Sequence, residues 1–216
     1  MLMVKKRAKS KIFQDYMNGK LKLKTYQEVG ILLLVVVFSG LAGWLWEFGM
    51  AEVRGNFDSL YIKGGNLLPW MNIYAYGALL VIALTYKLRR HPLVVFVVSA
   101  ISTGLLELFS GWLVYTVGNG TRYWDYRKDW WGVGNINGFV CPASIIVFGL
   151  GGLLLMYGLL PFCIKLAKKM SKRTFLTFAI TLFALVMIDD ITNLTLKNLG
   201  LPTAMDFYQS LGWKYK

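Results

Sequence analysis

The chain has 216 residues, of which 56% are hydrophobic, 15% aromatic and only 16% charged, and its formal net charge is +13. Globular chains carry about 25% charged residues, so disorder is excluded and a soluble domain of this size would leave too much apolar surface bare. A basic excess in so apolar a chain reads as loops that orient a membrane protein, with no nucleic-acid partner.

Residues 1–28 are basic, with Lys at 5, 6, 9, 11, 20, 22 and 24. Val4, Ala8, Ile12 and Tyr16 recur every four residues, beside Phe13 and Met17. That spacing predicts an interfacial amphipathic helix, although a solvated tail fits the same residues. The basic stretch is too long for a signal peptide, and no A-x-A-like site follows the first apolar run.

Five apolar segments follow, at about 29–50, 67–86, 92–118, 138–160 and 174–195. Each has the roughly 20 residues that cross about 30 Å of hydrocarbon. In lipid they must be helices, because isolated strands leave their backbone unsatisfied. The expected fold is all-α: a polytopic transmembrane helix bundle of about five spans over 29–195, preceded by the basic segment 1–28. Residues 196–216 form a short tail.

Sixteen of the 24 basic residues fall in the N-terminal segment and the loops after spans two and four, and eight fall on the other side. The positive-inside rule then places the N-terminus in the cytoplasm and the C-terminus outside a cell membrane. Anionic lipid headgroups are the expected partner of the N-terminal segment. All eight tryptophans lie in or next to the outer half of this topology. An aromatic belt would appear at both interfaces, so the one-sided cluster points to an outward-facing site.

Single residues narrow the chemistry. One histidine, His91, at the end of a span rules out HExxH zinc and multi-histidine iron sites. Cys141 and Cys163, in or beside apolar runs, read as small buried hydrophobes. No metal and no cofactor is expected.

Four acids lie in apolar spans: Glu47, Glu107, Asp189 and Asp190. Such acids cost at least ~2.5 kcal/mol each and usually face an interior or a cavity. Counted along their spans, Glu47 sits about 27 Å in, and Glu107 and Asp189 about 22 Å in. They could meet in the outer half, with Asn193 sharing a face with Asp189 or Asp190. Pairing with neighbours explains them equally well. The outer loop 119–137 adds Trp124, Asp125 and Tyr126, and Asn135 and Asn137 at the entry of span four. Such a loop could cover a pocket.

These residues resemble the ABC-transporter type IV, or CmpB-like permease, family of small membrane proteins. The matching pieces are Trp46-Glu47, Gly65 to Gly77, Glu107 to Trp112, Trp124-Asp125-Tyr126 and Asn135 to Cys141, with weaker agreement at Asp189. The family pattern has Arg, Phe and Pro where this chain has Gly64, Asn66 and Asn72, and Ser where it has Arg127. The resemblance implies a transporter or permease component and adds Asn72, Tyr74 and Trp112 to the candidate ligand-binding residues. No G-x-x-x-x-G-K-[ST] occurs, so any ATPase would be a separate subunit. A homo-oligomer is a further candidate assembly.

Two other functions fit the residues. One is an intramembrane lipid- or isoprenoid-modifying enzyme, with Glu107 as the acid and Asp125 as a base. The other is a non-catalytic scaffold or accessory subunit, in which the acids only hold helices together.

Overall fold

A computed structural model describes residues 11–55 and 60–215. Residues 11–17 form α1, so Ile12 to Met17 are helical. Val4 and Ala8 of the expected amphipathic pattern lie outside the described residues. Among the described residues, four helices are long and apolar enough to cross a membrane: α2 (Thr25–Arg54), α4 (Pro92–Val117), the continuous stretch Pro142–Lys169, and α7 (Lys172–Asn198). The fifth apolar helix is shorter, with α3 at Asn72–Thr85 and a 3-10 turn at Tyr86–Leu88. The expected all-α helix bundle is therefore observed.

Two helix starts differ from the sequence expectation, for one physical reason. Span two begins at Asn72 instead of Leu67, and span four at Pro142 instead of Gly138. Proline lacks an N–H and disfavours helical backbone in the residue before it. Pro69 thus keeps Leu67 and Leu68 out of the helix, whereas Pro142 opens α5 (Pro142–Leu154) at the position where its missing N–H costs nothing. The C-terminal tail is ordered into α8 (Ala204–Ser210) and β2 (Lys214–Tyr215), which pairs in parallel with β1 (Tyr61–Ile62).

The chain divides into two compact units, the first Met1–Lys22 with Gly77–Phe162, the second Leu23–Tyr76 with Cys163–Lys216. In the first, α4 packs on α5. Water cannot drive helices together in lipid, so close packing must. Small residues allow it: the Phe96 ring lies over Gly149, Ser99 over Gly152 and Ile145 beside Gly104. After α5 the backbone widens into a π turn at Leu155–Leu159, then continues as α6 (Leu160–Lys169). The Leu160 N–H bonds the Leu155 carbonyl in that wider register. The next donor in register would be Pro161, which has no N–H. The Met156 carbonyl instead accepts the buried Tyr16 hydroxyl at 2.9 Å. The N-terminal segment thus supplies a hydrogen bond that the helix cannot make for itself.

In the second unit, α2 packs on α7. The core gathers Val37, Trp70, Ala75 and Val186. The Trp70 indole lies over Gly40, where a Cβ would fall 2.1 Å from its nitrogen, and donates to the Val36 carbonyl at 3.1 Å. Gln27 ties the start of α2 to α6 by donating to the Ala167 carbonyl at 2.7 Å.

Candidate functional site

In the first unit, the buried Glu107 carboxylate is a meeting point. It lies on α4 and is 6% exposed. The Tyr126 hydroxyl donates to one oxygen at 2.6 Å, and the Ser144 hydroxyl bonds the other at 2.9 Å. Tyr126 comes from the loop after α4, in a 3-10 turn, and Ser144 from the first turn of α5. One acid therefore joins a helix, a loop and the next helix.

The loop itself is built locally. Asn137 and Gly138 both adopt left-handed backbone, with φ of 51° and 76°. Asparagine and glycine tolerate that conformation best. The turn pairs Ile136 with Val140. At Gly138 a Cβ would fall 2.3 Å from an Asp125 oxygen, so only glycine fits. Around the turn, Tyr126 N–H donates to the Gly138 carbonyl at 3.0 Å and the Trp124 indole to the Phe139 carbonyl at 2.8 Å. Arg122 donates to the Asn137 carbonyl at 2.8 Å and lies over the Tyr115 and Phe139 rings. Asn135 closes its own turn, donating to the Gly132 carbonyl and accepting the Gly138 N–H, both at 2.8 Å.

Asp125 is held by Arg127 through two side-chain hydrogen bonds of 2.8 and 2.6 Å. That guanidinium keeps its carboxyl at about 2, below the usual carboxylate range. A group so acidic is a poor proton acceptor near neutral pH. Beside this loop an open apolar groove of about 480 Å³ is lined by Leu105, Leu108, Phe109, Trp112, Asn137 and Phe139. Trp112 is half exposed there.

The second unit places its acids differently. The Asp189 carboxylate accepts the backbone N–H of Leu67 at 3.1 Å and of Leu68 at 2.7 Å. Asn193 donates to it at 2.7 Å, and its own carbonyl accepts the Ala204 N–H at 2.8 Å. Asp190 accepts from Asn66 at 3.1 Å. Glu47 accepts the Tyr74 hydroxyl at 2.7 Å, with the Lys63 ammonium 3.7 Å away. Asn72 opens α3 and is exposed.

Of the candidate residues, Glu107, Trp112, Trp124, Asp125, Tyr126 and Asn135 thus belong to the first unit. Glu47, Asn72, Tyr74, Asp189, Asp190 and Asn193 belong to the second. Among the described residues no group of three His, Cys, Asp or Glu could hold a metal. Sequence reading missed Ser144, Lys63 and Asn66. Ser144 had a signal, since its spacing from Cys141 is that of a capping box, and the two do cap α5. The Leu67 and Leu68 amides were hidden by reading those residues as helix.

A family model described as "Putative ABC-transporter type IV" matches residues 33–194. The chain belongs to that family. The match covers the stretch from α2 to near the end of α7, and so both units. With its apolar helices, membership makes the protein a multi-pass membrane protein of a transporter family. No curated protein matches it, and no solved structure does.

Proposed function

We propose that this family member is the membrane component of an ABC-type transporter and handles an amphipathic ligand. The groove carries the reading. Five of its six lining residues are apolar and Asn137 supplies a polar edge, a composition suited to an acyl or isoprenoid tail with a polar group beside the loop. Trp124, Asp125, Tyr126 and Asn135 act on this ligand by shaping the turn that carries Asn137 and Phe139. ATP hydrolysis belongs to a separate subunit, and the N-terminus lies in the cytoplasm.

A diazirine-bearing fatty acid tests the site. It should label peptides 105–112 and 137–139, and Trp112→Ala should reduce that labelling severalfold. Labelling spread evenly over all lipid-facing helices would sink the proposal.

A specific observation favours a second reading. Each intraspan acid already bonds protein groups: Glu107 to Tyr126 and Ser144, Asp189 to backbone amides, Asp190 to Asn66, Glu47 to Tyr74. That pattern suits an accessory subunit whose acids hold loops in place. Ligand-independent co-purification of an ATPase, with no labelling in the groove, would select it.

A further inference from the structure

The run Lys87-Leu-Arg89-Arg90-His91 plays no part in the groove, yet its two arginines are fixed with unusual care. It lies where two apolar segments end, running from the 3-10 turn Tyr86–Leu88 to the start of α4 at Pro92. The Arg89 side chain is 9% exposed. Its Nε donates to the Tyr16 carbonyl at 2.6 Å, and one terminal nitrogen donates to the Tyr86 carbonyl. The guanidinium lies 4.3 Å from the Tyr86 ring centre and 5.3 Å from that of Tyr16. Arg90 reaches the end of α1 and the turn that follows it, donating to the Met17 and Asn18 carbonyls.

Neither arginine makes an ion pair among the described residues. Arginine cannot shed its proton, and a buried charge without a counterion is costly. Carbonyl oxygens and ring faces orient the two cations without neutralising them. The second terminal nitrogen of Arg89 has no protein acceptor among the described residues and lies beside Gly19, 3.1 Å from where a Cβ would sit. Exposed Lys87 precedes the pair in sequence, and exposed Lys20 ends the turn after α1. Asp15 is the one acid of the 11–22 segment, and its side chain makes no ion pair among the described residues.

We infer that Arg89, Arg90 and the turn 16–20 form a phosphate-binding site that takes the headgroup of an anionic phospholipid. Planar guanidinium forks match phosphate oxygens. The place favours a lipid, because the apolar helix ends would lie beside its acyl chains. The site is independent of the groove, and its test needs no transport.

Native mass spectrometry of the full chain in detergent would read it, with phosphatidylglycerol and phosphatidylcholine as probes. The wild type should retain one phosphatidylglycerol in preference to phosphatidylcholine. Arg90→Gln should weaken that retention roughly five- to tenfold, with phosphatidylcholine unaffected. Arg89→Lys, which keeps the charge but loses the fork, should also weaken it. Millimolar inorganic phosphate distinguishes the sources: no displacement supports the lipid, and displacement in the wild type but not in Arg90→Gln supports the same chemistry with free phosphate as ligand. Arg90 is exposed, so its variant should fold and carries the test if Arg89→Lys does not. Phosphatidylglycerol retained equally by the wild type and Arg90→Gln would overturn the site.

Discussion

Glu107 in the first unit and Asp189 in the second do the same mechanical job with different partners. Each carboxylate, on an apolar helix, fastens the connection that leads into another helix: Glu107 ties the loop after α4 to the first turn of α5, and Asp189 ties the stretch before α3. Glu107 is met by two side-chain hydroxyls, Asp189 by two backbone amides and Asn193. A hydroxyl can turn its proton toward another acceptor, and the Ser144 hydroxyl has one at hand in the Cys141 carbonyl, 2.9 Å away. A backbone N–H cannot turn. The two staples should therefore respond differently to the same chemical change.

The largest effect is expected at Asp189. Asp189→Ala removes the acceptor of two amides and one side-chain amide together. Hydrogen bonds to charged groups contribute about 1.5–3 kcal/mol each in proteins, and leaving donors unmet adds a desolvation cost. Allowing for its partial exposure, a loss of about 3 kcal/mol is expected in reversible unfolding in micelles, with earlier proteolysis near residues 64–71. A variant as stable as the wild type would mean that the segment is held by other contacts.

The isosteric pair sharpens the contrast. Asp189→Asn turns one acceptor into an NH2 that faces a fixed N–H, and about 2 kcal/mol should be lost. Glu107→Gln keeps one oxygen for Tyr126 and offers an NH2 to Ser144, whose proton turns to the Cys141 carbonyl. Its cost should stay below about 1 kcal/mol. Equal losses in the two variants would remove the distinction between fixed and rotatable donors. Tyr126→Phe should fall between them, at about 1–2 kcal/mol, because the buried carboxylate loses a short donor without a substitute.

The same contrast explains what the sequence made legible. Five apolar segments and the acids within them are visible because hydrocarbon thickness and the cost of a buried charge act on local composition. The partners of those acids are not visible, because they depend on which segment fails to coil. Pro69 carried that information for Leu67 and Leu68, but a run as apolar as Leu67 to Tyr86 masks it. Likewise the π turn at Leu155–Leu159 follows from Pro161 only once Tyr16 is known to reach the Met156 carbonyl. Tyr126 belongs to the loop after α4, yet its bond to Glu107 requires that loop to fold back onto α4, which no local pattern encodes.

The smallest effect concerns a third carboxylate, Asp125, whose partner is a cation. Arg127 holds its carboxyl at about 2, against an ordinary value of 3.8. The folded state therefore binds the proton less readily than the unfolded chain does. The resulting stabilisation is fully present above pH of about 4 and is lost as pH falls toward 2. Asp125 is the carboxylate around which Gly138 turns, so protonation should loosen the Asn137-Gly138 turn first. A carboxyl-carbon NMR titration should show Asp125 ionising near pH 2, and Arg127→Gln should move that midpoint up toward 4. In Arg127→Gln the turn amides of Gly138 and Phe139 should exchange faster than in the wild type even at neutral pH. A midpoint near 4 in the wild type would show that the pair is too well solvated to hold the turn, leaving the Glu107–Tyr126 bond as its main anchor.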